Sequence, residues 1–193
     1  SFNWISEMDI AFGGGNLYAV WDALETITTY GVFLCRSTNL GFNWDPWVNL
    51  TPTDRNCSAP RVGAIQNGQQ VTVVYQDAWD VDDIDVRYAS SEDAGGTWVK
   101  EYGLNCSYDN ERKPDICVDP TLGDFQAVYW KENDTIYSSA PYTNPTAWTP
   151  PLVINDTNQT SQENIPPTVA VHWISGEAGV AWPDERTATD AIY

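Results

Sequence analysis

The chain has 193 residues, 42% of them hydrophobic and 13% aromatic, and a net charge of −18. Such a content is globular rather than disordered, and no apolar run approaches the roughly 18 residues that a membrane-spanning helix needs. With nine basic against 27 acidic residues, the surface repels nucleic acid and anionic lipid by Coulomb repulsion, so neither a nucleic acid nor membrane insertion is expected.

The chain opens on Ser1 rather than Met, which suggests a processed or excised segment. Phe2-Asn-Trp4 has the same letters as Phe42-Asn-Trp44 and reads as the tail of a repeat. Met8–Phe12 is a first strand, Leu17-Tyr-Ala-Val-Trp-Asp22 a second and Gly31–Cys35 a third. Gly13-Gly-Gly15 lies before a strand, not before a helix, so it is a turn and not a phosphate loop. The unit closes on Ser37-Thr-Asn-Leu-Gly-Phe-Asn-Trp44.

The order then returns. Pro60–Ile65 opens the next unit, with Pro at a strand start where no ladder donor is needed. Val71–Asp77 and Asp85–Ala89 follow, and Ser91-Glu-Asp-Ala-Gly-Gly-Thr-Trp98 closes it in the frame S-x-D-x-G-x-T-W. Pro114–Val118, Phe125–Trp130 and Asp134–Tyr137 form a third unit, with a decayed closing turn from Ser139 to Trp148. Pro167–Val171, Ala178–Asp184 and Asp190–Tyr193 form a fourth. No stretch carries helical periodicity. The fold class expected is therefore all-β: one domain over 1–193, a β-propeller of four blades with about four antiparallel strands each. The repeats run roughly over 5–44, 45–98, 99–148 and 149–193, with 1–4 completing a blade. The array either closes or belongs to a larger or polymeric one, in which an open strand edge recruits a second copy of the chain.

The closing turn resembles the Asp box of the sialidase and BNR-repeat superfamily, and the resemblance covers nearly the whole chain. It implies that the box joins the two outer strands of a blade. It makes Ser37, Asn39, Gly41 and Trp44 structural in the first copy, and Ser91, Asp93, Gly95, Thr97 and Trp98 in the second. The Trp would pack between blades. A box marks fold rather than activity. A sialidase also uses three arginines for a carboxylate, a Tyr–Glu nucleophile pair and an Asp acid/base. The arginines here are Arg36, Arg55, Arg61, Arg87, Arg112 and Arg186. Arg61 opens a first strand and is expected to face the central channel. The family's Arg-Ile-Pro motif is absent, no Tyr–Glu pair is assignable, and four repeats fall short of six blades. No catalytic residue is therefore named.

Other residues carry separate expectations. Asn-x-Ser/Thr sequons at Asn49, Asn56, Asn105, Asn133, Asn155 and Asn158 suggest N-glycosylation and an extracellular location. Cys35, Cys57, Cys106 and Cys117 form no CxxC pair, so two disulfides are expected rather than zinc. Neighbours in sequence favour Cys35–Cys57 and Cys106–Cys117. Asp77, Asp80, Asp82, Asp83 and Asp85 crowd carboxylates into one turn, a candidate Ca²⁺ site, though without EF-hand spacing. Trp79 within that run is a candidate for stacking on a sugar ring. His172 follows a first strand and is expected to pack or face the channel rather than act as a base. The leading expectation is a secreted, self-assembling structural or adhesive propeller. Its rivals are a fragment of an exo-sialidase or related glycoside hydrolase, and a glycan-binding lectin-like propeller.

Overall fold

A computed structural model describes residues 4–26, 28–66, 68–80, 83–105, 107–132, 134–141, 143–155, 165–172, 174–184 and 191–192. Among them every regular element is a strand. Three sheets of four antiparallel strands follow one another in chain order. The first holds β1 (Ile5–Gly13), β2 (Asn16–Leu24), β3 (Tyr30–Ser37) and β4 (Val48–Asn49). The second holds β5 (Asn56–Ala64), β6 (Val71–Asp80), β7 (Asp83–Ser91) and β8 (Val99–Asn105). The third holds β9 (Glu111–Val118), β10 (Phe125–Lys131), β11 (Asp134–Ala140) and β12 (Leu152–Val153). The fourth unit has two hairpins, β13 (Thr168–Val171) with β14 (Ala178–Ala181), and β15 (Pro183–Asp184) with β16 (Ala191–Ile192).

Within each sheet the strands run in simple sequence order, and the first strands of successive sheets lie side by side: β1 on β5, β5 on β9, β9 on β13. This is the blade arrangement of a propeller. Two boundaries differ from the sequence expectation. Each four-stranded blade ends several residues beyond its Trp, because a short fourth strand pairs with the third: Val48 opposite Leu34, Leu152 opposite Tyr137. Trp4 does not finish another blade. Its carbonyl accepts the N–H of Leu24 at 3.1 Å, so it extends the edge of the first blade.

Period-two alternation sorts side chains onto two faces. On the first blade Tyr18, Val20, Val32 and Leu34 face forward, and they pack against Cys57, Val62, Ala64, Val71, Val73 and Tyr75 of the second. Val74, Val86, Tyr88 and Leu104 repeat this against Ile116, Phe125, Ala127 and Tyr129 of the third. The core is therefore a set of interblade layers.

Polar side chains lock the same layers. Ala59 and Lys113 each sit at a left-handed bulge on a first strand, with φ of 52° and 54°. The Ala59 N–H donates to Asp22 of the preceding blade at 3.1 Å, and the Lys113 N–H donates to Gln76 at 2.7 Å. Asp22 also accepts from the N–H groups of Ser6 and Glu7. Asp9 accepts the Val62 N–H at 2.9 Å, and Asp115 accepts the Val169 N–H at 2.9 Å. Burying these backbone groups without partners would be costly, so the side chains fix the spacing between blades.

Both well-formed boxes have the expected turn. Ser37 and Ser91 accept from Gly41 and Gly95 N–H groups at 2.8 Å. Asn39 caps Asn43, and Asp93 caps Thr97 through its N–H and hydroxyl. Gly41 and Gly95 take φ of 89° and 85°, where an L side chain is disfavoured. Trp98 packs on the core between the first two blades, and Trp148 lies 5.7 Å from Tyr88 between the next two.

Candidate functional site

The strands place the Asp boxes at one end of the sheets. The turns joining second to third strands, and the starts of the first strands, lie at the other end. Charge gathers there. Three successive first strands deliver Glu7, Arg61 and Lys113 to one point beside the axis. Arg61 donates to Glu7 at 2.9 Å and Lys113 stands 3.7 Å from the same carboxylate. Arg61 also donates to the Pro60 carbonyl, which fixes its direction. All three side chains stay partly open to solvent. One carboxylate facing two cations leaves a local positive excess on a strongly acidic chain, which suits an anionic or polyhydroxylated ligand.

Behind this group lies a buried ionic layer. Asp77, fully buried, takes Arg55 at 2.7 Å and Arg87 at 2.8 Å. Arg87 also donates to Asp85 at 3.0 Å. Glu111 of the third blade is fully buried, accepts from Ser107 at 2.6 Å and lies 3.6 Å from Lys131. Burial first, then the nearby Asp85 carboxylate, pushes the Glu111 carboxyl up to about 8, against Ser107 and Lys131, which lower it. Burial thus favours its protonated form. With no open face, the carboxyl meets only its neighbours within the blades.

Part of the acidic turn is engaged within the protein. Asp77 pairs with Arg55 and Arg87, and Asp85 pairs with Arg87. No group of three metal-ligating side chains occurs among the described residues. Asp83 begins β7. Asp82 and the side chains of Asp80 and Trp79 lie outside the described residues, so neither that end of the turn nor the stacking role is placed.

The expected Cys35–Cys57 bridge is not formed; both thiols are unbridged, as is Cys117. The Tyr30 N–H donates to Asn56, which puts the start of β3 beside Cys57. Cys35 lies five residues further along β3, roughly 16 Å away at about 3.3 Å per residue, far beyond the reach of a disulfide of about 7 Å. Cys106 lies outside the described residues.

The sequons divide. Asn56 is exposed, with its side-chain Oδ1 accepting from the Tyr30 N–H. Asn49 is half-buried and donates to Glu25 at 2.8 Å. Asn155 is buried, accepts from Thr135 and donates its amide to Asp134 at 3.2 Å. Asn155 thus clasps Thr135 and Asp134 in the folded chain. Asn133, Asn158 and the Asn105 side chain lie outside the described residues. His172 is exposed and bonds Ser175 at 2.9 Å, so it caps a turn instead of packing inward. The sequence reading singled out Arg61 but missed Glu7 and Lys113, because the repeat puts Asp9 and Asp115 level with Arg61, and Glu7 and Lys113 lie two residues earlier on their strands.

No family model and no curated protein sequence matches the chain. Solved structures do. A Hadza microbial sialidase superposes with a TM-score of 0.65 at 14% identity, over 96% of this chain and 43% of that one. An α-L-arabinanase of Penicillium chrysogenum, complexed with arabinobiose, gives 0.61 at 15% identity over 93% and 56%. Trypanosoma rangeli sialidase in complex with sialic acid gives 0.62 at 10% identity over 98% and 35%. The chain has the sialidase-like β-propeller fold, and it spans about half or less of these three neighbours' lengths.

Proposed function

We propose that the chain is part of a carbohydrate-active propeller, a portion of a glycoside hydrolase, and that it contributes the Glu7, Arg61 and Lys113 cluster to the sugar site. The observation that carries this reading is the meeting of those three groups, from three different blades, at the axial end away from the Asp boxes. The fold neighbours act on glycosides, which agrees with it. The ligand class proposed is an acidic sugar. Its carboxylate would displace Glu7 and be held by the Arg61 fork and the Lys113 ammonium, in the way two cations hold one anion. No acid or nucleophile is assigned, because Glu111 and Asp85 are sealed within the blades.

The test is ligand-observed NMR of the purified chain with sialic acid and with arabinobiose, beside release of dye from fluorogenic sialosides and arabinofuranosides. Binding of the acidic sugar, weakened tenfold or more by Arg61→Ala and enhanced by Glu7→Gln, supports the reading. Equal silence toward both sugars, in binding and in turnover, would sink it.

A further inference from the structure

The first strands meet through a repeated clasp. Asp9, Arg61 and Asp115 occupy one level of β1, β5 and β9, each opposite a valine of its second strand: Val20, Val74 and Val128. Between the first and second blades, Asp9 accepts the Val62 N–H at 2.9 Å. Between the third and fourth, Asp115 accepts the Val169 N–H at 2.9 Å and the Thr168 hydroxyl at 2.7 Å. Ile116 holds the place of Val62 and Val169, because it stands opposite Ala127 as they stand opposite Val73 and Val180. The junction between the second and third blades therefore has Arg61 where its neighbours have aspartate.

An arginine cannot make this clasp. A guanidinium carries five N–H donors and no acceptor, so it offers nothing to the Ile116 N–H. Arg61 turns instead to its own Pro60 carbonyl and to Glu7 of the first blade. Lys113, three residues before Ile116, approaches the same Glu7 carboxylate at 3.7 Å. The other clasp of this junction is intact, since Gln76 accepts the Lys113 N–H at 2.7 Å. The exchange of aspartate for arginine is confined to one level, where it removes an acceptor and adds a donor. Ile116 is only 7% exposed, and a buried N–H needs an acceptor that neither Arg61 nor Lys113 can supply.

We propose that a ligand carboxylate completes this clasp. It accepts the Ile116 N–H, in the place that Asp9 and Asp115 take at the neighbouring junctions, with the Arg61 guanidinium and the Lys113 ammonium as its counter-charges. Ile116 joins the site as a main-chain donor, held in direction by its strand. The bound carboxylate also ties the third blade to the second, as a carboxylate of the chain itself does at the other two junctions. The inference rests on the acidic-sugar reading of the Glu7, Arg61 and Lys113 cluster, and adds to it a third donor and a role for the ligand at the junction.

The experiment follows the Ile116 amide of the full chain by proton–nitrogen NMR, in chemical shift and in solvent exchange, with sialic acid and arabinobiose as probes. Val62, already clasped by Asp9, is the internal reference. With sialic acid the Ile116 proton should move downfield and its exchange should slow about tenfold, the worth of one added hydrogen bond. Val62 should stay unmoved, and arabinobiose should cause neither change. Arg61→Asp and the uncharged Arg61→Asn each supply an acceptor, and circular dichroism verifies their fold. In both, Ile116 should be protected without any ligand, and sialic acid should add nothing. Sialic acid that binds, as read from its own resonances, yet leaves Ile116 unmoved overturns this inference alone and leaves the acidic-sugar reading standing. Failure of sialic acid to bind overturns both. Identical Ile116 exchange in the native chain and in both variants shows that no acceptor was missing, and overturns the inference by itself.

Discussion

Arg55 and Asp77 form a salt bridge of 2.7 Å in the second blade, and the same two places in the third blade hold Asp109 and Lys131 at 3.2 Å, with the charges exchanged. Asn56 and Asn110 fix the equivalence, since each follows the first member of the pair and accepts the N–H that starts the third strand of the preceding blade. The second and third blades thus share an ion pair at this spot with its polarity reversed, whereas the first blade has Ala23 there. Asp77 is the partner with most at stake, because it is fully buried and serves two arginines.

Asp77→Ala should destabilise the chain by about 3–5 kcal/mol, the loss expected when one member of a buried ionic group is removed and the other charges stay. Equilibrium urea unfolding measures it. Lys131→Ala, at a partly open pair, should cost markedly less. Equal losses would refute the difference in burial.

Glu111 makes stability depend on pH. Its carboxyl is raised from an ordinary 4.5 to about 8, so the folded chain binds this proton more tightly than the unfolded chain does. The stabilisation is complete below about pH 4.5 and is lost as pH climbs through 8. Between pH 5 and 8 the melting temperature of native protein should therefore fall more than that of Glu111→Gln, which keeps the neutral shape. Parallel curves from scanning calorimetry would contradict the assignment.

The thiols should be inert. Burial, joined by the Asp77 charge, raises Cys57, and burial with Asp115 and Asp119 pushes Cys117 up to about 12. Thiolate is the reactive form. Mass spectrometry after brief iodoacetamide treatment should find Cys57 and Cys117 unlabelled in native protein, and labelled without any reductant once urea is added. Labelling that required reductant would revive the disulfides.

Gly95→Ala should cost about 1–2 kcal/mol, from left-handed backbone alone. A methyl there would lie 3.5 Å from Tyr18 and 3.6 Å from Trp98, ordinary contact distances. A far larger loss in urea unfolding would point to a clash instead.

The repeat was legible because its signals are local. Ser91, Asp93, Gly95 and Thr97 bond one another within a single turn, so their spacing survives in the letters. β2 and β6 were legible as β-branched and aromatic runs, Leu17–Trp21 and Val71–Tyr75. The fourth strands were cut short in the reading because Val48–Asn49 and Leu152–Val153 are too brief to show any period. The pairing of Asp77 was not legible in the acidic run, since Arg55 approaches it from another strand, 22 positions away. The cysteine pairing failed for a related reason. Nearness in sequence says nothing about which end of a strand a residue occupies, and Cys35 and Cys57 sit at opposite ends.

The grip of Asp22 and Gln76 on the next blade's bulge has a dynamic consequence. Each sheet is held by its neighbours as much as by its own ladder, so the second blade, clasped on both sides, should be the slowest to open. In deuterium exchange the amides of Val73, Val74 and Tyr75 should outlast those of Ile10 and Val180, with protection declining toward each outer sheet. The array would then melt from its flanks, as a zipper does, with its middle as the last ordered part.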